Sequence, residues 1–418
     1  MGRASKYIAF VLCLLLSGMG ANLYAQSRTV SGRVIDSRNQ KGLPNVSISL
    51  KGTNIGTVSN ADGNFSLYMA DCNNTAISFS TVGYTSLSIS SDSLASANNI
   101  IRMDRQPVEL SEVVIYGGDP MKILSAALKK IPDNYSLNRD MLSMFYRETI
   151  RKGKRFIGVS EAAIDVYKTP YDRRSVDFDR VQIDRGRRLV SQKSSDTLAV
   201  KIVGGPNLAV NVDFVKNADV LFSEHELTDF DFKMEKPEYA DERLQYVISF
   251  RPKVRREYAQ FRGKIYIDRE LLAFTRAEFE MMPDDKGKMT AAVLHKKPRG
   301  LRFDPQKIEF VVSYKLVDGK TYLNYISNEM KFKCDMKRRL FSSAYTAYSE
   351  MVVVDRKENT DERISYKEAF KPRQIFYDIV DEYWDEDYWS EYNIIEPTES
   401  LENAVWKLKK TGKTLSMQ

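Results

Sequence analysis

Three side chains that could act as oxygen ligands alternate in the stretch TVSNADGNFSL, Thr57 to Leu67: Asn60, Asp62 and Asn64. Oxygen ligands at every second residue are the pattern of a calcium loop, but such a loop also needs a bidentate carboxylate beyond its glycine. Phe65, Leu67 and Met69 stand there instead. Asp62-Gly63 is equally a turn dipeptide: the aspartate bonds its own backbone and the glycine takes positive φ. The stretch therefore reads as a corner between strands, and no metal or cofactor is expected.

A second cluster is DIVDEYWDEDYWSEYNIIEP, Asp378 to Pro397. Aromatic faces stack on sugars and paired carboxylates hydrolyse glycosides, but a hydrolase sets its two acids across a cleft. One continuous segment crowds them together. The expected role is an arm that packs Val380, Trp384 and Trp389 onto a basic sheet, its acids left to solvent or to Lys and Arg. Trp384, Trp389 and Tyr388 are the candidate ligand or docking residues, with the two tryptophans as anchors. The two histidines, His225 and His295, lie far apart and neither has a second histidine at i+3 to i+5. Neither a zinc peptidase nor a His-dependent triad has its parts. No catalytic residue is assigned, and the chain is not expected to be an enzyme.

Elements must position these residues, and the chain's ends and composition bound them. Arg3 and Lys6, an apolar run from Tyr7 to Leu16, and small residues up to Ala25 make a secretory signal peptide. Cleavage is expected near Ala25. Leu12 stands before Cys13 where a lipoprotein signal wants a small residue, so no lipid anchor is expected. No other stretch is apolar enough to span a bilayer, so no transmembrane segment is expected in the mature chain. Removing residues 1–25 takes away two cations and lowers the formal charge from +7 to +5. The basic runs RPKVRR (Arg251 to Arg256) and MKRRL (Met336 to Leu340) read as solvated strand ends and turns. Without a recognition helix, zinc finger or aromatic-basic signature, nucleic acid is not an expected partner. Cys72 and Cys334, the cysteines left after processing, read as two isolated thiols.

From Thr29 the chain alternates in short bursts. Val46, Ile48 and Leu50 share one face, as do Phe65, Leu67 and Met69, and then Ile77, Phe79, Leu87 and Ile89. Period-two patterning with Gly, Asn and Asp punctuation predicts an all-β sandwich. SGRVID, then GLPNVSISLKGTNIGTVSNADGNFSL, then ISFSTVGYTS, resemble the carboxypeptidase regulatory-like domain over residues 28–104. The resemblance implies a transthyretin-like, seven-stranded Greek-key sandwich, of a kind common in exported Bacteroidota proteins, including TonB-dependent receptors. VELSEVVIYG, Val108 to Gly117, resembles the segment that follows this domain in those receptors. No plug motif follows, and the remaining length is too short for their outer-membrane barrel.

Residues 105–135 form a linker strand and helix. Asp119 is its N-cap, Pro120 its first helical residue, Met121, Leu124, Leu128 and Ile131 its apolar stripe, and Pro132 its stop. Residues 141–355 are strand-rich, with hairpin turns at KGK, IDRELLAF and KLVDGKTYL, and predict a large antiparallel curved sheet or open half-barrel. GKIYID, Gly263 to Asp268, is similar to the half-barrel of lipoprotein carriers, which implies a concave sheet for an apolar ligand. The part after Ile115 also resembles uncharacterised exported Bacteroidota proteins. Residues 356–418 hold the arm and a final helix, with Ser400 as its cap and Gly412 beyond its end. The leading functional expectation is an exported, non-catalytic binding or envelope-assembly protein of the periplasm or outer membrane. Its partner would be an envelope protein, a glycan or a lipid. A glycan binder or carbohydrate-active protein using the acidic tail, and a periplasmic carrier of lipid or lipoprotein, remain the alternatives.

Overall fold

The computed structural model describes residues 27–70, 75–107, 118–172, 178–191, 193, 196, 198, 200–202, 204–217, 220–222, 224–336, 342–372, 374–385 and 392–415. The expected signal peptide, Cys72, residues 108–117, Lys337 to Leu340, Tyr388 and Trp389 lie outside them.

Seven strands build the first unit: β1 (Arg28–Asp36), β2 (Ser47–Leu50), β3 (Gly56–Val58), β4 (Asn64–Met69), β5 (Ala76–Ser80), β6 (Leu87–Ser90) and β7 (Asn99–Met103). They form two sheets, ordered β4-β1-β7 and β3-β2-β5-β6. Every second residue of β2, β4 and β5 is buried, and Val30, Val46, Ile48, Phe65, Leu67, Ile77 and Phe79 make the core between the sheets. The expected alternation is therefore the one that folds.

The second unit is dominated by one antiparallel sheet of eleven strands. Its strands are β8 (Asp140–Lys152), β9 (Arg155–Lys168), β10 (Arg180–Val190), β12 (Phe230–Met234), β13 (Glu238–Ala240), β14 (Arg243–Pro252), β15 (Phe261–Asp268), β16 (Phe274–Met281), β18 (Leu301–Val317), β19 (Lys320–Met336) and β20 (Ser343–Lys357). The order is β10-β9-β8-β20-β19-β18-β16-β15-β14-β12, with β13 also on β14, and the sheet is not closed into a barrel. A separate pair joins β11 (Lys201–Ile202) to β17 (Leu294–Lys296). Turn chemistry sets the hairpins. Gly153 between β8 and β9, and Asp318-Gly319 between β18 and β19, all take positive φ.

Side-chain parity gives this sheet two unlike faces. On the inner face Leu142, Met144 and Tyr146 of β8, Ile164 and Val166 of β9, Phe279 of β16, Phe310 and Val312 of β18 and Met351 and Val353 of β20 join one core. That core is closed by helices α1 (Pro120–Lys129), α2 (Ile131–Asn134), α3 (Pro206–Asn211) and α4 (Lys286–Val293). Asp119 caps α1 through Met121 N–H at 3.0 Å, and Leu124 and Ala127 of α1 and Ile131 of α2 are buried. Tyr135 stacks on Tyr171 beneath it at 5.1 Å between ring centres.

The opposite face carries the sandwich. Val58 of β3 packs with Phe145, Tyr325, Val352 and Val354 of the large sheet and with Ile395 of the C-terminal segment. Beyond the sheet come a helical turn, α5 (Phe376–Ile379), and a terminal helix, α6 (Glu399–Leu415). Two expectations for that helix are corrected. Its start is held by Thr398, whose Oγ1 accepts Leu401 N–H at 3.2 Å, while Ser400 lies inside the first turn. Gly412 also lies within the helix, which runs on to Leu415.

Candidate functional site

The turn with the ligand-like residues works as a clasp. Asn60 Oδ1 accepts the N–H groups of Asp62 and Asn64, both at 2.9 Å, and so fixes the corner. Gly63 has φ +85°, and a Cβ there would lie 2.4 Å from the Val34 carbonyl oxygen, so only glycine fits. The amide of Asn60 turns outward and donates to the carbonyls of Glu396 and Pro397, each at 3.0 Å. Asp62 Oδ2 accepts Glu399 N–H at 3.0 Å, satisfying one open donor at the start of α6. These oxygens and amides are spent on the chain's own C-terminal segment.

The remainder of that segment alternates between the two units. Tyr392 donates to the Met144 carbonyl at 3.2 Å on the sheet. Asn393 exchanges two hydrogen bonds with the backbone of Tyr68 on the sandwich, at 2.7 and 3.1 Å. Thr57 donates to the Ile394 carbonyl at 3.0 Å, and Arg147 Nη2 to the Ile395 carbonyl at 2.8 Å. Arg147 is fully buried and also meets Glu161 at 2.6 Å and Glu350 at 3.0 Å, while Arg187 reaches the second oxygen of Glu161 at 2.5 Å. Burial alone would raise the Glu161 carboxyl. The Arg147 and Arg187 guanidiniums outweigh it and hold the group below its ordinary value.

The acidic arm lies along the free side of β10. Val380 is wholly buried, Phe376 nearly so, and Trp384 bridges to Gly186 in parallel register. Asp378 pairs with Lys201, Asp381 with Arg188, and Asp385 with Arg185 at 3.0 Å. The Arg188 guanidinium sits 4.8 Å from the Tyr377 ring centre. Trp384, however, is 51% exposed, so the buried anchors are Phe376 and Val380. Val380 reaches the core because Gly186 opens a notch for it: a Cβ on Gly186 would lie 2.4 Å from Val380 Cγ2.

Between arm, α3 and the inner face lies a cavity of about 210 Å³. Ile150, Ile157, Leu208, Met330, Ala347 and Phe376 give it apolar walls. Glu148 stands among them. Its Oε1 accepts the Tyr146 hydroxyl at 2.5 Å and Gly205 N–H at 2.7 Å, and no hydrogen bond is made to Oε2 among the described residues. Burial pushes this carboxyl up, against the lowering pull of the two donors. Glu148 was not singled out from the sequence, yet the signal is there. In MFYRETI the apolar face runs Met144, Tyr146, position 148, Ile150, and an acid occupies an inward position. A carboxyl with one open oxygen in a greasy pocket can orient the polar head of an otherwise apolar molecule.

These observations can be set beside known proteins. Residues 30–115 match the CarboxypepD_reg-like domain family. The N-terminal unit is a CarboxypepD_reg-like domain. Over 120 residues the chain is 32% identical to TonB-dependent receptor P3 of Formosa agariphila, a match that covers 29% of this chain and 12% of the receptor's length. Beyond the CarboxypepD_reg-like domain, structural likeness is distant. A DUF1329 family protein from Desulfovibrio piger matches 59% of this chain and 96% of its own, at 12% identity and a TM-score of 0.27. An outer-membrane lipoprotein-sorting protein domain from Vibrio parahaemolyticus matches 58% and 93%, at 11% identity and a TM-score of 0.25. Among the described residues no helix is long and apolar enough to cross a membrane.

Proposed function

We propose that this is an exported, non-catalytic envelope protein that holds a small, largely apolar molecule in the Glu148 cavity, with its CarboxypepD_reg-like domain as a rigid platform on the other side of the sheet. The cavity carries the reading. Helices α1, α3 and α4 pack over the inner face. The Glu148 cavity beside them is about 210 Å³, somewhat larger than the ~150 Å³ apolar cavity that holds benzene. A body of about six to eight carbons suits that scale. The envelope setting is supported by the signal-like N-terminus and by the receptor relative.

Titration with 1-octanol, followed by methyl NMR, tests the reading. Saturable shifts confined to Ile150, Ile157, Leu208 and Met330 are expected, and Leu208→Trp, which fills the cavity, should abolish them. Shifts that persist in Leu208→Trp, or none at saturating octanol, would overturn it.

A further inference from the structure

The cavity's walls are apolar but its charges are not balanced. Glu148, Asp196 and Asp378 all line it, and Lys201 is the only cation lining it among the described residues. Lys201 is already paired with Asp378. Asp196 is held from outside the cavity by Arg155. That leaves Glu148, whose nearest partners are both neutral: a phenol and a backbone N–H, sharing one oxygen. Burial pushes this carboxyl up against the pull of its two donors, and at pH above its folded value it is a carboxylate with no counter-charge among the described residues. The missing partner is a hydrogen-bonding cation that brings its own apolar body.

Resting on the pocket reading above, we propose that the ligand is a cationic amphiphile, its primary ammonium head set against Glu148 Oε2 and its short hydrocarbon body among Ile150, Ile157, Leu208 and Met330. An alcohol would fill the same walls without supplying charge. A fatty acid would bring a second anion to Glu148 and be repelled unless one of the two were protonated. Asp196 and Asp378 also line the cavity but are each paired with a cation, and Asp378 keeps the Lys201 ammonium from repelling a cationic ligand.

The experiment compares n-octylamine, 1-octanol and octanoate on the full mature chain by the same methyl shifts. Octylamine is expected to bind about tenfold or more tightly than octanol, the scale of one charged hydrogen bond, and octanoate most weakly. Glu148→Gln should erase the preference for the amine, leaving octylamine and octanol within about twofold of each other in that variant. Asp378→Asn, on the exposed arm, should reduce the preference in part, which keeps the test sound if the buried variant folds poorly. Octanol binding as tightly as octylamine would overturn the cationic head and leave the pocket reading standing. If none of the three shifts the pocket methyls, both fall.

Discussion

Glu148 differs from Glu161 and Glu350 of the same sheet, which both meet Arg147: among the described residues its hydrogen bonds come from a phenol and a backbone N–H. Arg147, its neighbour in sequence, points to the opposite face and is surrounded by Glu161, Glu350 and a carbonyl. One step along a strand thus separates a charge that is compensated from one that is not. The consequence is a pH signature. The folded-state value of Glu148 lies above its ordinary 4.5, so between those two values the folded chain keeps a proton that the unfolded chain has lost. Its contribution to stability is greatest below 4.5 and is lost as pH rises through the folded value. Glu148→Gln removes that loss while keeping an oxygen for the Gly205 N–H. The variant should gain on the native protein as pH rises from 4.5 and then run parallel to it, which urea melts at several pH values would check. A stability difference independent of pH would show that Glu148 does not titrate in this window.

Among the elements, the arm shows what local pattern can and cannot say. Its docking and the pairing of its acids with basic residues follow from composition, because so many aromatics do not stay in solvent. Which aromatic is the anchor does not follow. That depends on Gly186 notching β10 opposite Val380, a match made across the fold. Phe376, packed edge-on to Tyr146 at 5.1 Å, should cost about 3–5 kcal/mol when cut to alanine, whereas Trp384→Ala should change stability by ~0.5 kcal/mol or less. Thermal and urea melts of the two variants would decide, and equal losses would return Trp384 to the role of anchor. The hairpins at Gly153 and Asp318-Gly319 were legible because a turn's chemistry is contained within a few residues. Glu148 was only half legible: alternation fixed the face of residue 148, but not the cavity in front of it. The cap of α6 was misassigned because its partners, Thr398 and Asp62, include one from the other end of the chain.

For the molecule as a whole, the clasp between the 60–64 turn and the 393–399 segment joins the two units. Much of what it buries is backbone polar group, so each broken bond leaves a partner unsatisfied. Asn60→Ala with Asp62→Ala removes three hydrogen bonds from that joint and two from the turn's own corner. The double variant should lose about 2–5 kcal/mol and let the two units exchange amide hydrogen separately at their interface. Hydrogen exchange read at Thr57, Tyr68 and Ile395 is the measurement. Protection there unchanged from the native chain would mean that the other contacts across the joint, Val58 in its apolar cluster and Asn54 with Arg356 among them, hold the units together.

The clasp also has a history written into its sequence spacing. Thr57 and Ile394 are 337 residues apart, and the segment between them includes every strand of the large sheet. A chain made from its N-terminus presents the sandwich first and its partner surface much later. For most of its synthesis the sandwich has nothing to close upon, and Asn60 and Asp62 remain bonded to water. Arg147 is in the same position, since one of its three partners is the Ile395 carbonyl. A chain cut short before Asn393 would keep the contacts of Val58 with the sheet and of Asn54 with Arg356 and lose every bond of the clasp.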